Sequence, residues 1–155
     1  MKLNCDLGES FGAWSMPVEA AIMAEIDQAN IACGFHAGDP LVMKQAIRLA
    51  KQHDVDIGAH PAYPDLQGFG RRSMAIAADE LSAMIQYQVS ALSGMAKVCG
   101  ANVSYVKPHG ALYNDMMKDT AVMRTVMQSI AEINMQSLNS PLALMVQATS
   151  QNAAI

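Results

Sequence analysis

The sequence predicts an α/β protein built as a parallel βα barrel, TIM-barrel-like and incomplete in this chain. Three observations carry that reading. Apolar, β-prone runs alternate with helical segments along the 155 residues, which implies parallel strands joined by right-handed crossovers. Four of these runs end directly in polar chemistry: Leu3-Asn4-Cys5-Asp6 into Gly8-Glu9, Ile31-Ala32-Cys33-Gly34 into His36, Val55-Asp56-Ile57-Gly58-Ala59 into His60, and Val103-Ser104-Tyr105-Val106 into Lys107-Pro108-His109. Finally, the length falls short of the ~250 residues of a full barrel. An open doubly wound sheet would concentrate its ligand groups at one switch point. Polar residues after four successive strands favour a closed or nearly closed ring instead.

The elements follow in order. The first strand is expected over about Lys2 to Cys5, and the first helix carries Val18, Ile22 and Ile26 at i, i+4, i+8. The second strand lies near Asn30 to Gly34. The next helix has a clear start, with Asp39 as cap and Pro40 at the first position. Its apolar stripe is Met43, Ala46, Ile47 and Ala50, and Lys51 and His53 fall in its last turn. The third strand is Val55 to Ala59, followed by a Pro- and Gly-rich loop from His60 to about Met74. A long helix opens with Asp79 and Glu80 and carries Leu81, Met84, Ile85, Val89, Leu92, Met95 and Ala96, with Gly100 as its stop. The fourth strand is Val103 to Val106. A further helix runs from about Asp119 to Asn134, with Val122, Val126, Ile130 and Ile133 on one face. The fifth strand is Leu142 to Val146, and Gln147 to Ile155 read as the start of another helix. No linker, repeat or low-complexity tract interrupts the series, so residues 1–155 read as one domain, and its short end reads as a fragment or truncated product.

Composition narrows the function. Hydrophobic residues make up 52% and charged residues 15% of the chain, enough apolar material for a real core, and mean hydropathy is +0.14. No apolar run approaches the ~20 residues that span a bilayer, and no signal peptide is expected. The formal net charge of −4 argues against nucleic acid, which needs clustered Lys and Arg. Cys5, Cys33 and Cys99 are an odd set without CxxC spacing. They read as reduced thiols of a cytoplasmic protein, with Cys5 and Cys33 as small core residues.

The chemistry gathers at the strand ends. Three of the four histidines, His36, His60 and His109, fall just past a predicted strand, and in a barrel such residues converge on one mouth. Asp6 and Glu9 follow the first strand, where a carboxylate can hold a metal, act as a base or orient an imidazole. Lys107 and His109 share one side of an extended segment. Lys107 is suited to a substrate carboxylate or an oxyanion, or to an ion pair with Asp6 or Glu9. Asp39 caps a helix and stands near the same rim, while Arg71 and Arg72 could clamp an anion. Asp6, His36, His60, Lys107 and His109 are therefore the candidate catalytic residues. Asn4, Glu9, Asp39, Arg71 and Arg72 are the candidates for substrate binding. A divalent metal would draw on Asp6, His36, His60 and His109, although no HxH or HExxH pair is present. No phosphate loop or G-x-S-x-G elbow occurs.

Taken together, these segments resemble the LamB/YcsF family, that of the A subunits of bacterial 5-oxoprolinase. The matching stretches are Leu3-Asn4-Cys5-Asp6-Leu7-Gly8-Glu9, Ala29-Asn30-Ile31-Ala32-Cys33-Gly34-Phe35-His36-Ala37-Gly38-Asp39, Gly58-Ala59-His60-Pro61, Tyr63-Pro64-Asp65, Phe69-Gly70-Arg71 and Lys107-Pro108-His109-Gly110-Ala111-Leu112-Tyr113-Asn114. The resemblance implies a βα barrel of the glycoside hydrolase/deacetylase type. It implies ATP-dependent opening of 5-oxo-L-proline to L-glutamate, carried out with partner subunits B and C, and an active cleft formed by the strand-end aspartate and histidines. Ala62 stands where the family usually has Gly or Ser. Family members run on for about a hundred residues more, in keeping with a full barrel, through a Glu-x-Phe-Ala-Asp-Arg segment and a His-Gly-Asp that are missing here. The chain thus corresponds to roughly the N-terminal two thirds of the family domain, and its exposed sheet edges would invite homo-oligomerisation. Two other expectations stand beside ATP-dependent lactam hydrolysis: a stand-alone metal-dependent deacetylase or amidohydrolase, and a non-catalytic binding fragment.

Overall fold

The computed structural model describes residues 1–16, 19–136 and 141–148. Five strands pair in chain order, β1-β2-β3-β4-β5, and every pairing is parallel. They are β1 (Asn4–Leu7), β2 (Gln28–Ala32), β3 (Asp56–His60), β4 (Val103–Val106) and β5 (Ala143–Leu144). Between them lie helices α1 (Glu19–Met23), α2 (Pro40–Gln52), α3 (Ala78–Val98), α4 (Gly110–Lys118) and α5 (Thr120–Gln136). An order that never reverses is the order of a barrel wall, not of a doubly wound sheet. Among the described residues the ring is not closed, since β1 and β5 each pair on one side only. No helix is long and apolar enough to cross a membrane among the described residues.

Alternation along the strands separates two faces. Leu7, Ala29, Ile31, Ile57, Ala59 and Val106 join the buried core with Met43 and Ile47 of α2, Ile85, Val89 and Leu92 of α3, and Val126 and Ile130 of α5. The other face carries Asn4, Asp6, Asn30, Gly58 and Tyr105, so the interior of the incomplete barrel is polar.

Several boundaries depart from the expectation. β1 starts two residues later than expected, at Asn4, whose parallel pairing with Gln28 opens with the bond from the Gln28 N–H to the Leu3 carbonyl. Asp6 is therefore inside the strand. β2 ends at Ala32 because Gly34 turns at φ +91°, a conformation that suits glycine and not a strand. β3 reaches His60, which pairs with Ala32, so this histidine closes the strand. α1 stops at Met23, leaving Ile26 beyond it, and Val18 lies outside the described residues. α2 begins as expected, the Asp39 carboxylate accepting the N–H groups of Leu41 and Val42 at 2.9 Å, while His53 is its C-cap. α4 was not anticipated: its buried residues Ala111, Leu112 and Met116 are too few to show a helical stripe. β5 is shorter than expected. Of the expected terminal helix, Gln147 and Ala148 are not helical and 149–155 lie outside the described residues.

One buried side chain stiffens the approach to the site. Gln88 of α3 is fully buried. It donates to the Ala62 carbonyl and accepts the Ala62 N–H, both at 2.9 Å, pinning the loop that leaves β3 after His60.

Candidate active site

His60 ends β3, while Lys107 and His109 leave β4 directly, which brings residues 49 apart in sequence into contact. His60 Nε2 and His109 Nδ1 lie 3.0 Å apart. Their outer nitrogens face main-chain carbonyls, His60 Nδ1 at 2.5 Å from Lys107 O and His109 Nε2 at 2.8 Å from Phe69 O. A carbonyl oxygen only accepts, so both outer nitrogens carry hydrogen; the tautomers are inferred from these partners. In two neutral rings the inner nitrogens would then be bare, with their lone pairs opposed. One proton or one cation between them removes the conflict.

The surroundings fit a site that handles charge. Asp6 Oδ1 lies 3.4 Å from His60 Nε2 and 2.6 Å from Lys107 Nζ, and accepts from Asn30 Nδ2 at 2.8 Å. Burial pushes the Asp6 carboxyl up, but its bonds and charge attraction to His60 and Lys107 outweigh that and hold it well below the usual carboxylate range. Burial, followed by the neighbouring imidazoles of His36 and His60, pushes His109 down to about 4. His109 is thus neutral near pH 7, and its Nδ1 can only accept. The His36 ring stacks on His109 with centroids 3.8 Å apart and planes 6° apart. Its Nε2 lies 3.2 Å from Glu9 Oε1, and burial also pushes this imidazole down, against the pull of Glu9. Among the described residues His36 Nδ1 is buried without a hydrogen-bond partner.

Glu9, His36, His60 and His109 each offer one ligand atom, and these atoms lie within 4.8 Å of one another. The set differs from the expected one. Glu9 takes the place of Asp6, whose Oδ1 is already engaged by Lys107 and Asn30. Three nitrogens and a carboxylate oxygen are a donor set that divalent zinc accepts. Imidazoles held by carbonyls on their far nitrogens are the usual outer support of such ligands.

The other expected positions fall into two groups. Asn4 joins the site through Asn30, whose Nδ2 donates to Asn4 Oδ1 at 2.9 Å. The Arg71 guanidinium lies over the Phe69 ring, 5.7 Å from its centroid, and Phe69 packs edge-on against both His36 and His109. Asp39 and Arg72 are not drawn into the cluster. Asp39 caps α2 and also accepts the Gly12 N–H at 3.0 Å, while Arg72 is bonded to the Asp65 carboxylate through two nitrogens. Cys33 is buried, and burial pushes its thiol up to about 12, so it serves as core.

Sequence reasoning missed Asn30 and the carbonyl of Phe69. Asn30 could have been noticed as the one amide in the apolar run Ala29-Asn30-Ile31-Ala32; a main-chain carbonyl leaves no such signal. Gly70, next to Phe69, has φ +65°, and a Cβ there would come within 2.8 Å of His109 Cδ2 and His36 Cβ. Only glycine lets the loop approach the rings so closely. Beside them a cleft of about 500 Å³ has Glu9 and His36 in its wall together with Phe11, Trp14, Leu66 and Phe69.

All of the chain, residues 1–155, matches the LamB/YcsF family. The chain is 56% identical over 152 residues to the second 5-oxoprolinase A subunit of Pseudomonas putida, covering 98% of this chain and 57% of that protein. It is 57% identical over 131 residues to the 5-oxoprolinase A subunit of Vibrio parahaemolyticus, covering 84% of this chain and 52% of that one. Its fold matches the crystal structure of the Lactam Utilization Protein from Thermus thermophilus with a TM-score of 0.88 and 42% identity, covering 94% of this chain and 57% of that one. The chain spans little more than half the length of these proteins. A family match along the whole chain, relatives above half identity and the same parallel α/β wall agree with one another: the chain belongs to the LamB/YcsF family.

Proposed function

We propose that this chain acts in a 5-oxoprolinase, opening the lactam of 5-oxo-L-proline to L-glutamate in the cytoplasm, with ATP consumed and with partner subunits B and C. The observation that carries the reading is the His60–His109 pair, 3.0 Å apart and locked on both outer nitrogens. Such a pair keeps a proton in place next to a carboxylate. With its inner nitrogens bare it takes one proton from an attacking water, holds it between them, and returns it to the lactam nitrogen as the C–N bond breaks. Asp6 stabilises the charged imidazole. Lys107, with two N–H donors beyond its bond to Asp6, faces the oxygen on which negative charge develops. Arg71, which forms no ion pair among the described residues, and Glu9 remain the substrate-facing side chains. Asp39 and Arg72 already have structural partners. The names of the relatives from Pseudomonas putida and Vibrio parahaemolyticus support the substrate and the existence of further subunits.

The test is reconstitution of the chain with subunits B and C and measurement of glutamate released from 5-oxoproline with and without ATP. ATP-dependent release is expected. No release, or release that does not depend on ATP, would overturn the reading.

A second reading, a metal-dependent amidohydrolase or deacetylase, rests on the Glu9, His36, His60 and His109 cluster. These four residues would hold a divalent ion, and the unpartnered His36 Nδ1 and the carbonyl-bound outer nitrogens fit that role. The ion would supply polarisation of the amide carbonyl or of a water molecule. Elemental analysis of the purified chain separates the readings: stoichiometric zinc with amide hydrolysis that needs no ATP favours the second.

A further inference from the structure

In a parallel sheet, paired residues of successive strands project from the same face. One rung of this sheet runs Asp6↔Asn30, Asn30↔Gly58 and Gly58↔Tyr105. The shift in register between Ile57 and Gly58 is what sets Tyr105 opposite the glycine. Gly58 leaves a gap in the rung, and the Tyr105 ring fills it: a Cβ on Gly58 would overlap Tyr105 Cε2 and Cζ. The ring thereby reaches across β3 to β2, and its hydroxyl donates to Asn30 Oδ1 at 2.7 Å.

The Asp6 carboxylate, which only accepts, decides which way the Asn30 amide faces, and the Tyr105 hydroxyl supplies the donor for the amide oxygen. With its oxygen turned to Tyr105, its NH2 group points to β1, donating to Asp6 Oδ1 at 2.8 Å and Asn4 Oδ1 at 2.9 Å. A flipped amide would set its oxygen against the Asp6 carboxylate, which only accepts. Asn30 is fully buried and Tyr105 is 4% exposed, so water does not substitute for either bond. Burial, then the nearby charges of Asp56 and Asp6, keep the Tyr105 phenol protonated, hence a donor.

We propose that Tyr105 and Asn30 are positioning residues for the reaction, a relay along one rung of the sheet that fixes the Asp6 carboxylate against His60 and Lys107. The inference rests on the function proposed above. Among the described residues neither side chain hydrogen-bonds to the imidazole pair; both act through Asp6, and Gly58 is the vacancy that makes the relay possible.

The test is a double-mutant cycle with Tyr105→Phe and Asn30→Ala, in the complex with subunits B and C, with Asn30→Ser as the milder variant should the alanine form fail to assemble. Tyr105→Phe removes one hydroxyl and leaves the ring in the Gly58 gap. We expect kcat to fall about five- to tenfold, the effect of one lost hydrogen bond, with KM changed by less than about twofold. In the Asn30 variant the further change Tyr105→Phe should have no effect, because the relay is already broken. Additive losses, or a Tyr105→Phe enzyme with wild-type kcat, would overturn the proposal. A second readout needs no activity. In the ¹⁵N-labelled chain both side-chain amide protons of Asn30 should exchange slowly and lose that protection in Tyr105→Phe; unchanged protection overturns the relay. A wild-type complex that fails to open the lactam would sink the proposed function and leave the relay to be decided by the amide protons.

Discussion

Replacing His109 by alanine tests the proton-sharing pair most directly. The substitution deletes the acceptor 3.0 Å from His60 Nε2, the donor 2.8 Å from the Phe69 carbonyl and the ring stacked on His36. An unpaired buried carbonyl costs about 1–3 kcal/mol, so a lower melting temperature is expected and must be measured separately. The kinetic loss is larger. Positioned acid–base transfer contributes about 10²–10⁴ in rate, or roughly 3–5 kcal/mol of barrier at ~1.4 kcal/mol per tenfold. Without His109 the proton on His60 has Asp6 beside it, 3.4 Å away, and no second base to pass it to. We expect glutamate formation by the reconstituted His109→Ala enzyme to drop at least about a hundredfold, with KM for 5-oxoproline altered by less than about threefold. His109→Gln, whose amide can still donate to the Phe69 carbonyl, should recover stability but not rate. The assay is steady-state glutamate release with ATP, paired with thermal unfolding of each variant. Folded His109→Ala and His60→Ala enzymes that both turn over at the wild-type rate would refute the reasoning.

Two further predictions concern the frame around the site. Hydrogen bonding to Arg72, against the upward push of burial, holds the Asp65 carboxyl down at about 2, below its unfolded value of ~3.9. The stabilisation is therefore fully present above about pH 4 and is lost as pH falls through about 2. Arg72→Ala should lower the melting temperature at pH 7, and the gap to wild type should close between pH 4 and pH 2; a gap of constant size would count against the pairing. Gln88→Ala strips both partners from the buried Ala62 peptide groups, which should cost about 3 kcal/mol in urea unfolding. A loss below about 1 kcal/mol would mean that the loop after His60 is held by something else.

Much of the wall was legible because its signals are local. Asp39-Pro40 announces α2, the stripe Leu81, Ile85, Val89, Leu92 and Ala96 marks α3, and Val103–Val106 was read to the residue. Where the reading slipped, the deciding contact was distant in sequence. β1 begins where Asn4 pairs with Gln28 of β2. α4 is nine residues long and buries only three of them, too short for its period to show. Gly58 was a signal within reach, since a glycine inside a strand often marks the close approach of another group; which group approaches could not be read from one strand alone.

From the chain alone it followed that the protein is a parallel α/β wall whose imidazoles, carboxylate and lysine gather at the carboxyl ends of its strands. Strand direction and hydrophobic period suffice for that, because every crossover returns the chain to the same edge. Only the folded molecule decided that Glu9, not Asp6, joins the three histidines, that Arg72 belongs to Asp65, and that Tyr105 reaches Asn30 across Gly58. Those choices depend on which atom of a side chain meets which atom of another strand, at separations of a few ångströms. Proton positions and charge follow from such separations, and composition and spacing carry no record of them.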